Sequence, residues 1–462
     1  MARTSSGPGE GPDGPAPIEG ELPVETPPGP DGVPVIGNAL SLVRDPRGFY
    51  EEMSEYGDVV SYSVPLLDFC TVLHPDLVEQ VLLHEQDAFD KFGFEELGGE
   101  LASEGLLLTD GEQWRRQRTI VQDAFTLERI QGYGDAMARY ADELVAGWED
   151  GDEIALNREF SRLTLRVLTH SLFDLDLADE AAVVTEFADV LNDRGSLDGV
   201  STFVPMWIPT PENRRYKRVL GEFRTFVEGL IDERRGRAAE YDDLLSLLLT
   251  AEDETGETMS ETEVRDQMVT FLFAGHETTS LALTYTFLEL AQRADVRDRL
   301  DAEHDAVLDG STPGLTDLDD LSYTEQVIQE SLRLYPPAFI LFRTVRDDVE
   351  LGGYRIPEGT KLTLPQFHIH TDDRWYDDPE TFDPDRWTGG FEESLPDYAY
   401  FPFGGGPRHC IGMRFAMLEL KTVIPTVARQ VDFELLSDPD PEFDMATTLR
   451  PSEDVRVRVE KR

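Results

Sequence analysis

The sequence predicts a single, mainly α-helical domain with small antiparallel β-sheets at one side, and two observations predict this fold class. Apolar residues recur with a mostly helical period from Asp76 to about Leu334. Strand patterns, by contrast, are short and lie before and after that stretch. A length of 462 residues exceeds that of an average domain, but one large domain is compatible with it.

The first 26 residues differ in composition from the rest of the chain. They are rich in Pro, Gly and acidic residues, which is typical of disorder, so the ordered domain is expected to span residues 27–462. The first elements of that domain are predicted to be a helix at Pro46–Tyr56 and two strands at Val59–Val64 and Phe69–Leu73.

The segment Ser260–Arg293 predicts one unusually long helix. Ser260 and Glu263 form a capping-box pattern at its start. Gly275 and its polar neighbours interrupt the apolar run, which favours a buried core helix over a membrane span. A second helix, Tyr323–Leu334, is expected to stop at the prolines that follow it.

Strand signals return in the last quarter of the chain. Gly352-Gly353 between two short strand patterns predicts a two-residue hairpin. His368 and His370 alternate along a strand-like run and are interpreted as structural residues. The other elements expected here are strands at Val349–Leu351, Tyr354–Ile356, Thr360–Leu364 and Val455–Val459, and a helix at Met413–Arg429.

The charge of the chain excludes some partners. There are 93 acidic and 41 basic residues, which gives a formal net charge of -52. Such a charge repels nucleic acid and anionic membranes, and its self-repulsion opposes compaction. Acidic residues run through the whole chain and lysines are few, which is typical of a halophilic protein. At molar salt the Debye length falls to about 3 Å, so this repulsion would be screened.

The two cysteines, Cys70 and Cys410, provide no disulfide framework and fit a reducing, cytoplasmic location. Cys70 lies in an apolar run and is interpreted as a core residue. Cys410 lies in a glycine loop, Phe403–Gly412, whose backbone can approach a bulky planar group. The N-terminus of the next helix favours a thiolate there. A lone cysteine cannot build a zinc or iron–sulfur site, but it can be one axial ligand of haem.

The loop around Cys410 resembles the FxxGxRxCxG signature of the cytochrome P-450 family. Phe403, Gly406, Arg408, Cys410 and Gly412 fall in place. The resemblance covers about residues 27–462 in the family's order of motifs. It implies a single haem domain of that type, haem b as cofactor, and iron bound by the thiolate of Cys410, with Phe403 and Arg408 also at the cofactor.

Three more segments carry the resemblance. The AGx(D/E)T segment begins at Ala274; the family implies that Thr278 donates a hydrogen bond to bound dioxygen and that Glu277 relays protons. ExxR at Glu330–Arg333, with Arg386, implies a structural Glu–Arg–Arg triad, although Trp387 stands where Phe is commoner. The residues that the resemblance places at the haem propionates are Trp114 and Arg118 of a WxxxR helix, together with Arg343 and Arg408.

The resemblance implies a monooxygenase that inserts one oxygen atom into an apolar substrate. Electrons would come from NAD(P)H through a separate ferredoxin or flavodoxin-type partner, and the enzyme is expected to be a monomer. One alternative is a peroxygenase driven by hydrogen peroxide, which the intact acid–alcohol pair disfavours. The other is a haem sensor or electron carrier without chemistry, which would need a second axial ligand; on the long helix, His276 is the one obvious candidate. The expected substrate pocket comprises Phe271, Phe273, Ala274, Phe339 and Leu449.

The substrate hypothesis rests on an apolar loop at Phe203–Pro209 and on Thr448–Pro451, which resembles a carotenoid-hydroxylating member of the family. The loop would cap the access channel and could contact a membrane peripherally. These features favour a long isoprenoid, such as a carotenoid. The alternative is a fatty acid, whose carboxylate could be met by Arg214, Arg215 and Lys217 just after the loop.

Overall fold

The computed structural model describes residues 25–462 except 66, 93–101, 176–180, 197–203, 205, 242, 254–255, 309 and 311. The segment 1–26 therefore lies almost entirely outside the described residues, as do Phe203 and Pro205 of the apolar loop. The α-helices are α1 (Ala39–Arg44), α2 (Pro46–Ser54), α3 (Pro75–Glu79), α4 (Gly111–Val121), α5 (Leu127–Gln131), α6 (Gly134–Ala146), α7 (Leu156–Phe173), α8 (Ala181–Gly195), α9 (Pro211–Arg234), α10 (Leu244–Thr250), α11 (Glu261–Gln292), α12 (Ala294–Val307), α13 (Ser322–Leu334), α14 (Gln366–Ile369) and α15 (Met413–Ala428).

The strands form small sheets beside the helices, which confirms the predicted fold class. They are β1 (Val59–Val64), β2 (Leu67–Val72), β3 (Phe89–Lys91), β4 (Glu153–Ala155), β5 (Ile340–Val345), β6 (Val349–Leu351), β7 (Tyr354–Ile356), β8 (Lys361–Pro365), β9 (Val431–Leu435), β10 (Phe443–Met445), β11 (Leu449–Pro451) and β12 (Arg456–Lys461). The largest sheet has the order β1-β2-β8-β5-β3, the next β4-β12-β9, and two pairs are β6-β7 and β10-β11.

Helix α11 forms the centre of the helical part. The predicted capping box is present: the Glu263 backbone N–H donates to Ser260 Oγ at 3.2 Å, and the Ser260 N–H donates to Glu263 Oε2 at 2.9 Å. The helix packs most extensively against α7 and also contacts α13 and α15. Its second half is buried on every side, which explains why the sequence there is almost uniformly apolar.

The five-stranded sheet differs from the expected purely antiparallel arrangement at one place. β2 and β8 are parallel, with Cys70 opposite Leu362. These two strands are almost 300 residues apart, so no local pattern could indicate their relative direction. The predicted hairpin is present: β6 and β7 are antiparallel, and Gly352 and Gly353 have φ values of +59° and +84°, which suit a type I′ turn.

The run that contains His368 and His370 was predicted as strand-like, and this prediction was wrong. Strand β8 ends at Pro365, and the chain then turns into the short helix α14. His370 is fully buried, and its Nε2 accepts a hydrogen bond from the Phe401 backbone N–H at 2.9 Å. Across the described residues, no helix has both the length and the apolar character needed to cross a membrane.

Candidate active site around Cys410

One face of α11 lines an internal space. Thr270, Phe273, Ala274 and Thr278 are partly exposed, although their neighbours on this central helix are almost all buried. The spacing of these residues places them on one side of the helix. Thr270 and Phe273 also line an apolar cavity. The middle of the longest helix therefore faces a space inside the fold rather than another element.

Cys410 lies just before the start of α15. The Cys410 side chain is accessible to a small molecule, and burial of its surroundings is the main influence on its pKa and raises it. The backbone N–H groups of Gly412 and Met413 and the charge of Arg118 act in the opposite direction and lower that pKa. The expected arrangement, with amides at the helix start pointing at the sulfur, is therefore present. A cation bound at the sulfur would favour the thiolate further.

The glycines of this loop also allow the protein to pack closely on itself. Gly406 has a φ of +61°, and a Cβ atom there would overlap the Leu82 carbonyl oxygen. The Cys410 N–H donates to the Phe403 carbonyl at 2.9 Å and closes the loop. The loop conformation thus requires glycine for its contact with the π-helical turn Gln80–His84.

A group of cations lies next to the glycine loop. Arg408 forms an ion pair with Asp110, and its guanidinium lies 4.5 Å from the centre of the Trp114 ring. Arg118 donates from Nη1 to the His409 carbonyl oxygen at 3.1 Å. Arg343 is buried, and its one hydrogen bond within the described structure is to the carbonyl of its neighbour Phe342. All four residues that the sequence assigned to the haem propionates therefore lie beside or near the same loop.

Lys91 belongs to this group, although sequence analysis did not identify it. It lies directly opposite Arg343 in the antiparallel pair β3–β5, so both side chains project from the same face. Burial and the positive charges of Arg343 and Arg408 hold the pKa of Lys91 well below its usual value, and burial lowers the pKa of Arg343 to about 10. Like charges directly opposite one another destabilise a sheet.

The charges of these basic residues can be compared with the charges that haem would bring to the site. Lys91, Arg343 and Arg408 are three basic groups, and Asp110 is the carboxylate in the described chain that acts on both Lys91 and Arg343. The lowered pKa of Lys91 reflects this shortage of negative charge around the group. The two propionates of haem would supply negative charge there, and Cys410 nearby is a suitable iron ligand. The residues present therefore fit this cofactor.

Replacing Lys91 with Met is expected to loosen haem. The variant loses one charge-assisted hydrogen bond, worth about 1.5–3 kcal/mol, so haem transfer to excess apomyoglobin should accelerate by about tenfold or more. Lys91→Arg should retain haem as the unmodified chain does. Lys361→Met is the matched control, because Lys361 is also buried on this sheet but donates to Thr344 Oγ1. Equal transfer rates for Lys91→Met and Lys361→Met would contradict the assignment.

Glu277 is buried in a hydrogen-bond network that the sequence did not indicate. Its Oε1 accepts from Asn192 Nδ2 at 2.5 Å and from Thr448 Oγ1 at 2.9 Å. Oε2 is buried and has no hydrogen-bond partner among the described residues. Burial raises the pKa of Glu277, against the opposing effects of Arg450 and of these two donors. Asn192 on α8 and Thr448 carry no motif of their own and come together only in the folded chain.

Thr278 and Gly275 show how the central motif of α11 is used. Thr278 lies on the accessible face, and its hydroxyl donates to the Ala274 carbonyl at 2.9 Å. Gly275 permits close helix packing, because a Cβ atom there would lie 2.6 Å from Leu168 Cδ1 on α7. The close contact with α7 therefore explains why glycine occupies this position.

The triad residues meet in the core. Glu330 binds Arg333 in a two-point ion pair, with Oε1–Nη2 at 2.8 Å and Oε2–Nε at 2.9 Å, and both side chains are completely buried. Arg386 Nε lies 3.5 Å from Glu330 Oε1. The unusual Trp387 adds a bond, because its indole N–H donates to Glu330 Oε2 at 2.9 Å. Glu330 is therefore held by three side chains.

The five expected pocket residues lie in different surroundings. Phe273 lines the apolar cavity, and Ala274 lies on the same helix face. Phe271 is buried and stacks on Phe125 with ring centres 5.6 Å apart. Phe339 and Leu449 belong to a separate core cluster beside β1 and β2. The cavity itself is lined by Ala102, Leu107, Leu108, Leu191, Val269, Thr270 and Phe273.

Comparisons with known proteins agree with this geometry. A family model described as Cytochrome P450 matches residues 27–459. The chain is 37% identical over 415 residues to cyclooctat-9-en-7-ol 5-monooxygenase of Streptomyces melanosporofaciens, covering 88% of this chain and 89% of that protein. It is 35% identical over 442 residues to pentalenene oxygenase of Streptomyces avermitilis, covering 94% and 97%.

A solved structure shares the same fold. It is described as retinoic acid bound cyanobacterial CYP120A1, and it matches with a TM-score of 0.85 at 25% sequence identity. The match covers 96% of this chain and 100% of the other.

Proposed function

The chain belongs to the cytochrome P450 family and is a cytochrome P450 monooxygenase, and from this premise we propose that it inserts an oxygen atom from dioxygen into an isoprenoid substrate. The apolar lining of the small cavity beside α11, about 30 Å³ in volume, is the observation that carries the proposal. Its lining residues are aliphatic or aromatic except Thr270, whose hydroxyl already donates to the Asp266 carbonyl at 2.8 Å. A hydrocarbon loses little solvation in such a cavity, whereas a carboxylate would be left without a partner.

The relatives support the same substrate class. Pentalenene and cyclooctat-9-en-7-ol, which name two of them, are terpenoids, and retinoic acid is an isoprenoid as well. A carotenoid is the more specific hypothesis, and a fatty acid is the alternative. The alternative rests on Arg214, Arg215 and Lys217, which are exposed on α9 outside the cavity lining.

Cys410 would hold the iron of haem, and Lys91, Arg118, Arg343 and Arg408 would meet its propionates. Haem supplies the activation of dioxygen when it is bound, and a thiolate ligand favours cleavage of the O–O bond. The N–H groups at the start of α15 stabilise that thiolate.

Glu277 and Thr278 would move protons between the interior and the internal space. Since Oε1 of Glu277 accepts two hydrogen bonds, a proton on this carboxyl resides on Oε2. Burial raises the pKa of this carboxyl, which favours its protonated form. Thr278 is next in sequence and lies on the accessible face, so its hydroxyl can pass a proton onward once its bond to Ala274 is exchanged.

Replacing Thr278 with Ala is expected to uncouple the reaction. Product formed per NAD(P)H should fall by about tenfold or more, the usual scale for a positioned proton donor, while peroxide rises. Thr279→Ala is the matched control, because this adjacent threonine is buried and donates to the Gly275 carbonyl. Unchanged coupling in Thr278→Ala, measured as product and peroxide per cofactor oxidised, would remove Thr278 from the mechanism.

The electron source and the location of the enzyme are part of the proposal. NAD(P)H would deliver electrons through a ferredoxin or flavodoxin-type protein to a cytoplasmic monomer. Trp207, which is 80% exposed, supports peripheral contact of the loop before α9 with a membrane from which the substrate is drawn. A peroxygenase is disfavoured, because the acid and the alcohol of the proton path are both present.

The proposed halophilic character gives a salt prediction. With a net charge of -52, the unmodified enzyme should gain melting temperature and retain haem better as potassium chloride rises into the molar range. The expected gain is several degrees between about 0.1 M and 2 M salt, since screening removes repulsion among surface carboxylates. Thermal unfolding followed by the Soret band measures it. A melting temperature independent of salt would contradict the halophilic interpretation.

Binding titrations test the substrate. Pentalenene or β-carotene should convert the resting enzyme from low spin to high spin, because an apolar molecule in the cavity displaces water near the iron. Palmitic acid should give no shift. A shift with palmitic acid and none with either isoprenoid would overturn the proposed substrate class and favour the fatty acid.

A further inference from the structure

One wall of the apolar cavity is a short loop, residues 102–108, that is attached to α11. Ala102, Leu107 and Leu108 of this loop line the cavity opposite Leu191 of α8. The backbone approaches the helix so closely at Gly105 that a Cβ atom there would overlap the side chain of Thr270. The loop therefore has its apolar side in the cavity and its backbone against α11.

Two side chains of α11 hold the backbone of this loop. Asp266 Oδ2 accepts from the Glu104 N–H at 3.0 Å, and Gln267 Oε1 accepts from the Leu106 N–H at 3.1 Å. Asp266 is 1% exposed and Gln267 is completely buried. Polar side chains rarely occupy such positions unless they satisfy a buried partner. Here the partners include amides of the cavity wall, and the other oxygen of Asp266 accepts from Arg265 at 2.9 Å.

Helix α4 holds the same loop from its other side. Gln117 Nε2 donates to the Glu104 carbonyl at 2.8 Å, and Gln117 Oε1 accepts from Thr109 Oγ1 at 2.8 Å. Arg116 forms an ion pair with Glu263 of α11, so it takes part in the attachment of α4 to α11.

We propose that Asp266 and Gln267 are specificity-determining positioning residues, which fix the 102–108 wall and so decide which apolar molecules fit beside the iron. The inference rests on the proposed function, because it assigns this cavity to the substrate. Neither residue lines the cavity, so each acts through the backbone that it holds. Loss of either acceptor leaves a buried N–H group without a partner, and the wall moves to satisfy it.

The test uses two iron ligands of different reach, imidazole and 4-phenylimidazole, titrated into the haem-loaded enzyme. Imidazole occupies only the space at the iron, whereas the phenyl group extends toward the cavity wall. Asp266→Ala should weaken the binding of 4-phenylimidazole by about tenfold, which is the scale of a lost apolar contact. The affinity for imidazole should change by no more than about twofold. Asp266→Asn should restore both affinities, because its Oδ1 can accept from the Glu104 N–H, and it gives up only the bond from Arg265 to the other oxygen.

Two further variants keep the test decisive. Gln267→Met removes the second acceptor without adding charge, and it should show the same selective loss of 4-phenylimidazole affinity. It replaces Asp266→Ala in the test if that variant fails to load haem. Thr286→Val is the matched control, because Thr286 is buried on the same helix and donates to Ser331 on α13. An unchanged ratio of the two affinities in both Asp266→Ala and Gln267→Met would overturn the inference.

The outcome is distinguishable from failure of the proposed function. The azoles bind iron whatever the natural substrate is, so the ratio of affinities reports on the wall alone. A selective loss in these variants supports the inference even when isoprenoids produce no spin shift.

Discussion

Cys410→Ala should abolish the strongly red-shifted Soret band of the ferrous carbon monoxide complex. That band would require a thiolate ligand, and Cys410 is the accessible cysteine, whereas Cys70 is buried. The amides of Gly412 and Met413 and the charge of Arg118 stabilise negative charge on this sulfur. An alanine offers no electron pair to iron, so we expect complete loss of the band and of monooxygenase activity.

Cys70→Ala provides the control for this experiment. Cys70 is buried in β2 among aliphatic side chains, and burial raises the pKa of its thiol to about 12, so it remains a neutral core residue. The red-shifted band should be unchanged in this variant. Persistence of the band in Cys410→Ala would show that another residue holds the iron.

Glu330→Ala should give a haem-poor or misfolded chain. The substitution leaves Arg333 completely buried without its carboxylate partner, removes the acceptor of the Trp387 indole and removes one acceptor of Arg386, which keeps its bonds to the Asp377 and Asp378 carbonyls. Removing one member of a buried ion pair typically costs about 3–5 kcal/mol. A marginally stable domain loses a large part of its folding free energy from such a change. Haem content per chain and urea unfolding measure the effect.

Two variants separate the role of the triad from a general effect of buried charge. Trp387→Phe removes a single donor to Glu330 and should cost only about 1–3 kcal/mol. Glu289→Gln alters another carboxylate of a buried helix. The Glu289 carboxylate binds Arg293 and accepts from the Tyr335 hydroxyl, and this variant should largely retain its haem content. A stable, fully haem-loaded and inactive Glu330→Ala protein would indicate a catalytic role instead.

Local patterns predicted those parts of the fold that depend on neighbouring residues. The capping box of α11 and the Gly352-Gly353 hairpin need only contacts within a few residues, and both are present. The parallel pairing of β2 with β8 joins distant segments and carries no local signal. The helical turn at α14 was missed because Pro365 stops a strand whose alternating pattern continues in the sequence.

The same distinction holds at the site. Motifs indicated Cys410, Glu277 and Thr278, because each of these residues lies in a short stretch of sequence that is itself the signature of its role. Lys91 was missed because its position next to the other basic residues depends on the pairing of its strand with the strand of Arg343. Asn192 and Thr448 were missed for a similar reason, since the sequence does not show that they converge on Glu277. The scarcity of lysine in this chain is the one feature of the sequence that singles out Lys91.

The pairing of Lys91 with Arg343 has a consequence for the chain before it binds haem. Without haem, burial and the charges of Arg343 and Arg408 favour the neutral form of Lys91, whereas bound propionates would favour its charged form. Because a ligand stabilises only the form that binds it, haem supply shifts the balance between mature enzyme and chains exposed to proteases.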